Sequence, residues 1–151
     1  MQNTMSFQAV LKAVRTFSDA FNIPWSNKPT TALTSDQVAL RHRLMEEENN
    51  EYLEAAKAGD MVEVADALGD QLYILCGTIL SHGMQGVIED VFNEIQASNM
   101  SKLGSDNLPI FREDGKVLKG PNYFRPDIST ILTKSDPLVK SIEGGVEPEH
   151  K

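Results

Sequence analysis

The run from Glu46 to Asp70 constrains this chain most. It holds nine acids (Glu46, Glu47, Glu48, Glu51, Glu54, Asp60, Glu63, Asp66 and Asp70) against one base, Lys57, and Gly59 divides it into two helical stretches. Its net charge is 1 − 9 = −8, equal to that of the whole 151-residue chain, so the remaining residues sum to zero. The acidity is therefore a local feature. A chain charged in this way lacks the basic face that phosphate backbones require, which argues against nucleic acid as a partner. Carboxylates concentrated on helices point instead to hard cations.

Apolar periodicity predicts four main helices. Phe7, Val10, Leu11, Val14, Phe17 and Phe21 give an amphipathic first helix ending near Asn22. Thr34 and Gln37 form a capping-box pattern that opens a second helix, ended by Gly59 after Ala58. Asp60 caps a third, running to about Ser81 and stopped by Gly83, and a fourth extends from about Val87 to Lys102. The expected fold is all-α, a four-helix bundle-like core to about residue 103. An irregular arm over 104–133 follows, rich in Gly and Pro, with a small hairpin at Asp114-Gly115 and a last helical turn from Pro126 to Leu132. Residues 1–133 are expected to form one domain and 134–151 a flexible tail.

The helical wheel shows where the carboxylates point. At 100° per residue, Leu40, Leu44, Glu47, Glu48, Glu51, Ala55 and Ala58 share an arc of about 100°. The glutamates thus continue the apolar stripe, whereas Glu46 points away. On the third helix Glu63, Asp66, Asp70 and Tyr73 form one stripe, and Met61, Ala65, Leu68, Leu72, Leu75, Cys76 and Ile79 form another, roughly opposite. A helix with two faces to bury needs more partners than a small bundle supplies, which predicts a homodimer or homotetramer. With Gly59 as a short joint, the second and third helices pack antiparallel and their acids converge. Carboxylates turned toward a core are costly unless a cation sits among them, and all-oxygen ligation suits Mg²⁺ or Mn²⁺. One alternative explains Glu63 without metal, as the N3 partner of Asp60 in a second capping box.

The lone cysteine, Cys76, excludes an internal disulfide framework and fits a reducing compartment. No apolar run approaches the roughly 20 residues of a membrane span, and the N-terminus lacks the charged-then-apolar pattern of a secretion signal. A cytoplasmic protein without a membrane partner is expected.

The spacing Glu47-Glu48-x-x-Glu51, then Glu63-x-x-Asp66 within a run ending Asp66-Ala67-Leu68-Gly69-Asp70-Gln71-Leu72-Tyr73, resembles the signature of the all-α nucleotide pyrophosphohydrolases. That superfamily includes MazG-like proteins and phosphoribosyl-ATP pyrophosphatase. Further on, Ser98-Asn99-Met100-Ser101-Lys102-Leu103 and then Asp114-Gly115-Lys116 resemble the region where some members contact substrate phosphates. The resemblance runs from about Phe7 to Ile128. It implies Mg²⁺-dependent hydrolysis of a nucleoside triphosphate between the α and β phosphates, giving a monophosphate and pyrophosphate. It implies Glu48, Glu51, Glu63 and Asp66 as metal ligands, with Glu47 binding a further ion or accepting the proton of the attacking water. Asp70 then stands behind the ligands or is merely solvated. Asn99 and Lys102 on the fourth helix, and Lys116 and Lys119 in the basic arm with Arg112 and Arg125, are the candidate phosphate contacts. Tyr73 and Trp25 either stack on the nucleotide or pack in the core.

Other classes fit less well. A di-iron bundle wants Glu-x-x-His pairs, but Ala39 precedes His42 and Ile79 precedes His82 at that spacing. No twelve-residue acidic loop of the EF-hand type is present. Phosphoribosyl-ATP as the substrate, or a helical regulatory protein that keeps the metal only as a staple, remain the competing readings.

Overall fold

The computed structural model describes residues 5–135, which form five helices: α1 (Phe7–Ala20), α2 (Ser35–Ala58), α3 (Met61–Ser81), α4 (Ile88–Met100) and α5 (Ile128–Ser135). Among the described residues there is no β-strand, only an isolated antiparallel bridge between Phe111 and Val117. The expected all-α class is what the chain adopts, and the bridge is the expected hairpin in its smallest form. No helix among the described residues is long and apolar enough to cross a membrane. The fold divides after Gln85 into two compact units.

The first unit contains α1, α2 and α3. Ser6 caps α1 by accepting from the Ala9 N–H at 3.2 Å. The capping box at α2 is complete: Gln37 N–H donates to Thr34 Oγ1, and Thr34 N–H donates to Gln37 Oε1. Gly59 closes α2 with φ +69, a left-handed conformation that glycine adopts at little cost. Asp60 then opens α3 by accepting from the Val62 and Glu63 N–H groups. This two-residue joint folds α3 back on α2. Arg41, early in α2, meets Thr78 and Ile74 late in α3, and Asn49 meets Gln71 between them, so the pair is antiparallel as expected. α1 packs on α3, with the Phe17 and Tyr73 rings edge to face at 5.6 Å. Leu11, Val14, Ala55, Ala67, Cys76, Ile79 and Leu80 are the buried apolar side chains here.

The loop between α1 and α2 is stitched to the end of α3. Ser26 N–H donates to Leu80 O, and Thr30 N–H donates to His82 O. Gly83, with φ +65, lies so close to Lys28 that a Cβ would fall 1.9 Å from its carbonyl oxygen.

The second unit contains α4, the arm and α5. Here α4 is shorter than the expected 87–102. Gly120 N–H donates to Lys102 O, and Ser98 Oγ donates to Phe124 O, so the returning arm is tied to the chain at the end of α4. α5 begins later than expected, at Ile128. The Asp127 carboxylate accepts from the Thr130 N–H and hydroxyl, which sets the helix start. It also ends later, at Ser135, whose hydroxyl donates to Leu132 O. Lys134 and Ser135 therefore belong to α5 and not to the expected tail, while 136–151 lie outside the described residues.

Candidate active site

The antiparallel packing of α2 and α3 gathers acids from both helices. Glu48 is the focus. It is only partly exposed, its Oε2 is sealed from solvent, and that atom has no hydrogen-bond partner. Burial pushes its carboxyl above the ordinary glutamate value, and the negative charges of Glu51, Asp70, Asp66 and Glu47 push it further. A buried polar atom without a partner is unusual and costly. A divalent cation bound by oxygen would supply the missing partner and reverse the repulsion, so the donor set fits such an ion.

The site is less closed than the helical wheel suggests. Glu47 and Glu51, expected on the core side, are exposed, and so are Glu63, Asp66 and Asp70. Among the described residues no three acids, histidines or cysteines are grouped tightly enough to hold a metal ion. Long glutamate side chains turn into water when only like charges face them.

Glu63 is not among the charges acting on Glu48. Its capping-box alternative is not realised either. The Asp60 N–H that such a box requires donates to Ala55 O at 3.1 Å instead. The Glu63 carboxylate is therefore left uncommitted at the start of α3. Asp70 faces Glu48 more strongly than its uncertain place in the motif suggests.

The candidate phosphate contacts lie in the second unit. Lys102 Nζ donates to Asn99 Oδ1 at 2.8 Å, so these two act as a pair; Lys102 stands just beyond the end of α4. Lys119 Nζ lies 4.4 Å above the Tyr123 ring. Arg112 is paired with Asp114, which holds that carboxyl below its usual range. Lys116 donates its backbone N–H to Asp114, and its side chain is exposed without a partner among the described residues.

Arg41 is a residue the sequence reading passed over. Half-buried, it donates from Nε to Thr78 Oγ1 at 3.0 Å and from Nη2 to Ile74 O at 2.8 Å. Burial lowers its pKa from the ordinary arginine value. The available signal was its place on α2, seven residues before Glu48 and so on nearly the same face. Tyr73 packs on Phe17, and Trp25 donates its indole N–H to Asp19 Oδ1 at 2.8 Å while Arg15 stacks on its ring. Cys76 is fully buried, and burial pushes its thiol up.

Among known proteins, the crystal structure of a "putative NTP pyrophosphohydrolase" from Exiguobacterium sp. 255-15 is similar at 25% identity. It covers 91% of this chain and 98% of its own, with a TM-score of 0.43, too loose a superposition to transfer any detail. No curated protein matches. The family model for phosphoribosyl-ATP pyrophosphohydrolase matches residues 14–99, more than half of the chain and all of both acidic helices. Lys102, Lys116 and Lys119 lie outside that match. The chain thus belongs to the phosphoribosyl-ATP pyrophosphohydrolase family and is a pyrophosphohydrolase acting on acid anhydrides.

Proposed function

We propose that this chain is a Mg²⁺-dependent nucleoside triphosphate pyrophosphohydrolase that cleaves between the α and β phosphates and releases a monophosphate and pyrophosphate. The observation that carries this reading is the orphaned Oε2 of Glu48 amid acids from both α2 and α3. Glu48, Glu51, Glu63 and Asp66 would hold the metal, with Mn²⁺ as a substitute, and Asp70 supports them. When bound, the ion supplies charge neutralisation at the phosphates and a lowered pKa for water. Glu47, exposed beside Glu48, takes the proton of the attacking water. Asn99 and Lys102 act together on a phosphate oxygen, and Lys116 and Lys119 from the arm meet oxygens left unneutralised.

Assembly as a homodimer or homotetramer belongs to the same reading. On α3, Leu68, Leu72 and Leu75 are 49%, 44% and 48% exposed, and Met61 is 76% exposed. So much apolar surface on one helix face is what a partner copy covers. We place the enzyme in the cytoplasm, in keeping with its single buried thiol.

The family match supports phosphoribosyl-ATP as a second substrate reading. One experiment tests both: pyrophosphate release from a panel of nucleoside triphosphates and phosphoribosyl-ATP, with and without Mg²⁺. Release from common or deoxynucleotides only with Mg²⁺ is expected. Release from phosphoribosyl-ATP alone favours the second reading, and metal-independent release overturns the metal role.

A further inference from the structure

A cleft of about 350 Å³ opens in the first unit where the α1–α2 loop faces the beginning of α2. That size falls within the range of small-ligand sites. Its lining joins an aromatic and apolar part, including Trp25 and Leu40, to a polar part that includes Ser26, Thr30, Gln37 and Arg41.

Arg41 is the unusual member. Taking a guanidinium out of water is costly without a counter-charge. Yet among the described residues the ion pairs are Arg15–Asp19 and Arg112–Asp114, and none involves Arg41. Two of its five N–H donors are used, on Thr78 and Ile74, which leaves 5 − 2 = 3, two of them on Nη1. The fold makes room for this head group. At Gly77 on α3 a Cβ would lie 2.7 Å from Arg41 Nη2. Trp25 is held in advance by its bond to Asp19 and by Arg15 on its ring.

The cleft also stands in register with the acids. Arg41 precedes Glu48 by seven residues, about 10.5 Å along α2 and nearly on one face. A single nucleotide spans such a separation, its phosphates at Glu48 and its base at Arg41.

We infer that this cleft is the base-reading subsite and that Arg41 selects a 6-oxopurine over adenine. The inference rests on the nucleotide reading above. Arginine offers donors only. A 6-oxopurine presents two adjacent acceptors, O6 and N7, which a guanidinium meets with two hydrogen bonds. Adenine places an amino donor where O6 would be, and two donors then face each other unpaired.

Trp25 is the only tryptophan in the chain, so its fluorescence reports the cleft directly. The test titrates the full-length protein, in Mg²⁺, with inosine and adenosine 5′-monophosphates, which differ in the group at C6. Saturable quenching by the inosine nucleotide, at least about ten-fold tighter than by the adenosine one, is expected. Arg41→Gln removes that difference by weakening the inosine nucleotide alone. Gly77→Ala does the same with the charge retained, because it displaces the guanidinium, and it decides the matter if Arg41→Gln does not fold. The kcat/KM ratio for inosine over adenosine triphosphate falls in parallel. Equal or adenine-favouring binding, or a preference that survives both substitutions, overturns the inference while leaving the enzyme reading intact. An Arg41-dependent preference in a protein that releases no pyrophosphate from either triphosphate has the opposite meaning: the subsite stands and the triphosphate reading falls.

Discussion

The backbone N–H of Asp60 donates to the carbonyl oxygen of Ala55 at 3.1 Å, and that bond releases Glu63 from helix capping. The glycine turn at the end of α2 uses the donor that a second capping box would have needed. A carboxylate one turn into α3 is then left without a capping role. The geometry of the joint, and not the motif alone, makes Glu63 available.

Glu51→Gln or Asp66→Asn should lower Mg²⁺-dependent turnover by more than about 100-fold with the fold unchanged, since even groups behind metal ligands cost 10- to 100-fold. Each change keeps the shape and removes one ligand charge. Glu46→Gln, on an exposed position of α2, should leave turnover within about two-fold. Pyrophosphate release with circular dichroism as the folding control measures both.

Glu48 sets a pH dependence in the metal-free protein. Its carboxyl is raised by burial first and by the neighbouring acids next, so the folded state holds this proton more tightly than the unfolded one. Stability is therefore lost as pH rises from the ordinary glutamate value through the raised one. Glu48→Gln should flatten that part of the stability–pH curve and raise the metal-free Tm at neutral pH. Thermal melts in a chelator, with and without the substitution, give the comparison. A wild-type curve that rises over that interval on account of Glu48 would have the wrong sign.

Leu80 is 1% exposed near the end of α3. Leu80→Ala should cost about 2–5 kcal/mol by loss of contacts and creation of a cavity. Denaturant unfolding checks this. The substitution loosens the end of α3 to which the α1–α2 loop is tied through the Leu80 carbonyl.

Leu72→Asp should separate folding from assembly. Leu72 is half-exposed in the single chain, so a charge there is tolerated by the protomer and opposed by an apolar interface. Light scattering should report a homodimer or homotetramer for the natural sequence and a monomer for the variant. Monomers in both cases, at tens of micromolar, would remove the interface.

Replacing Lys116 and Lys119 together with Ala should raise KM or lower kcat by about ten-fold if the arm meets phosphate. Lys119 also lies on Tyr123, so Lys116→Ala alone is the cleaner arm of the comparison. Unchanged kinetics with assembly intact would leave the arm a packing element.

Local chemistry determined a great deal of this protein. The Thr34–Gln37 box, the left-handed Gly59 and the Asp60 cap are short-range devices, and they place α2, the joint and α3 to within a residue. Three-residue and four-residue spacings put Glu48, Glu51, Asp66 and Asp70 on definite helix faces, and antiparallel packing of the two helices brought them together. Where the ends depended on a distant chain segment, sequence was silent. α4 stops early where the arm returns to Ser98 and Lys102, and α5 starts late where Asp127 donates its N–H to Glu94 on α4. The wheel also assigned Glu47 and Glu51 the same inward face as Glu48, whereas packing left only Glu48 half-buried, since long charged side chains reach water whenever a path is open. Arg41 needed the tertiary structure altogether. A single arginine on an acidic chain carries no motif; its isolation arises from Gly77 and Thr78 on a facing helix and from a loop ending in Trp25 and Thr30, residues far apart in sequence and adjacent only once the chain has folded.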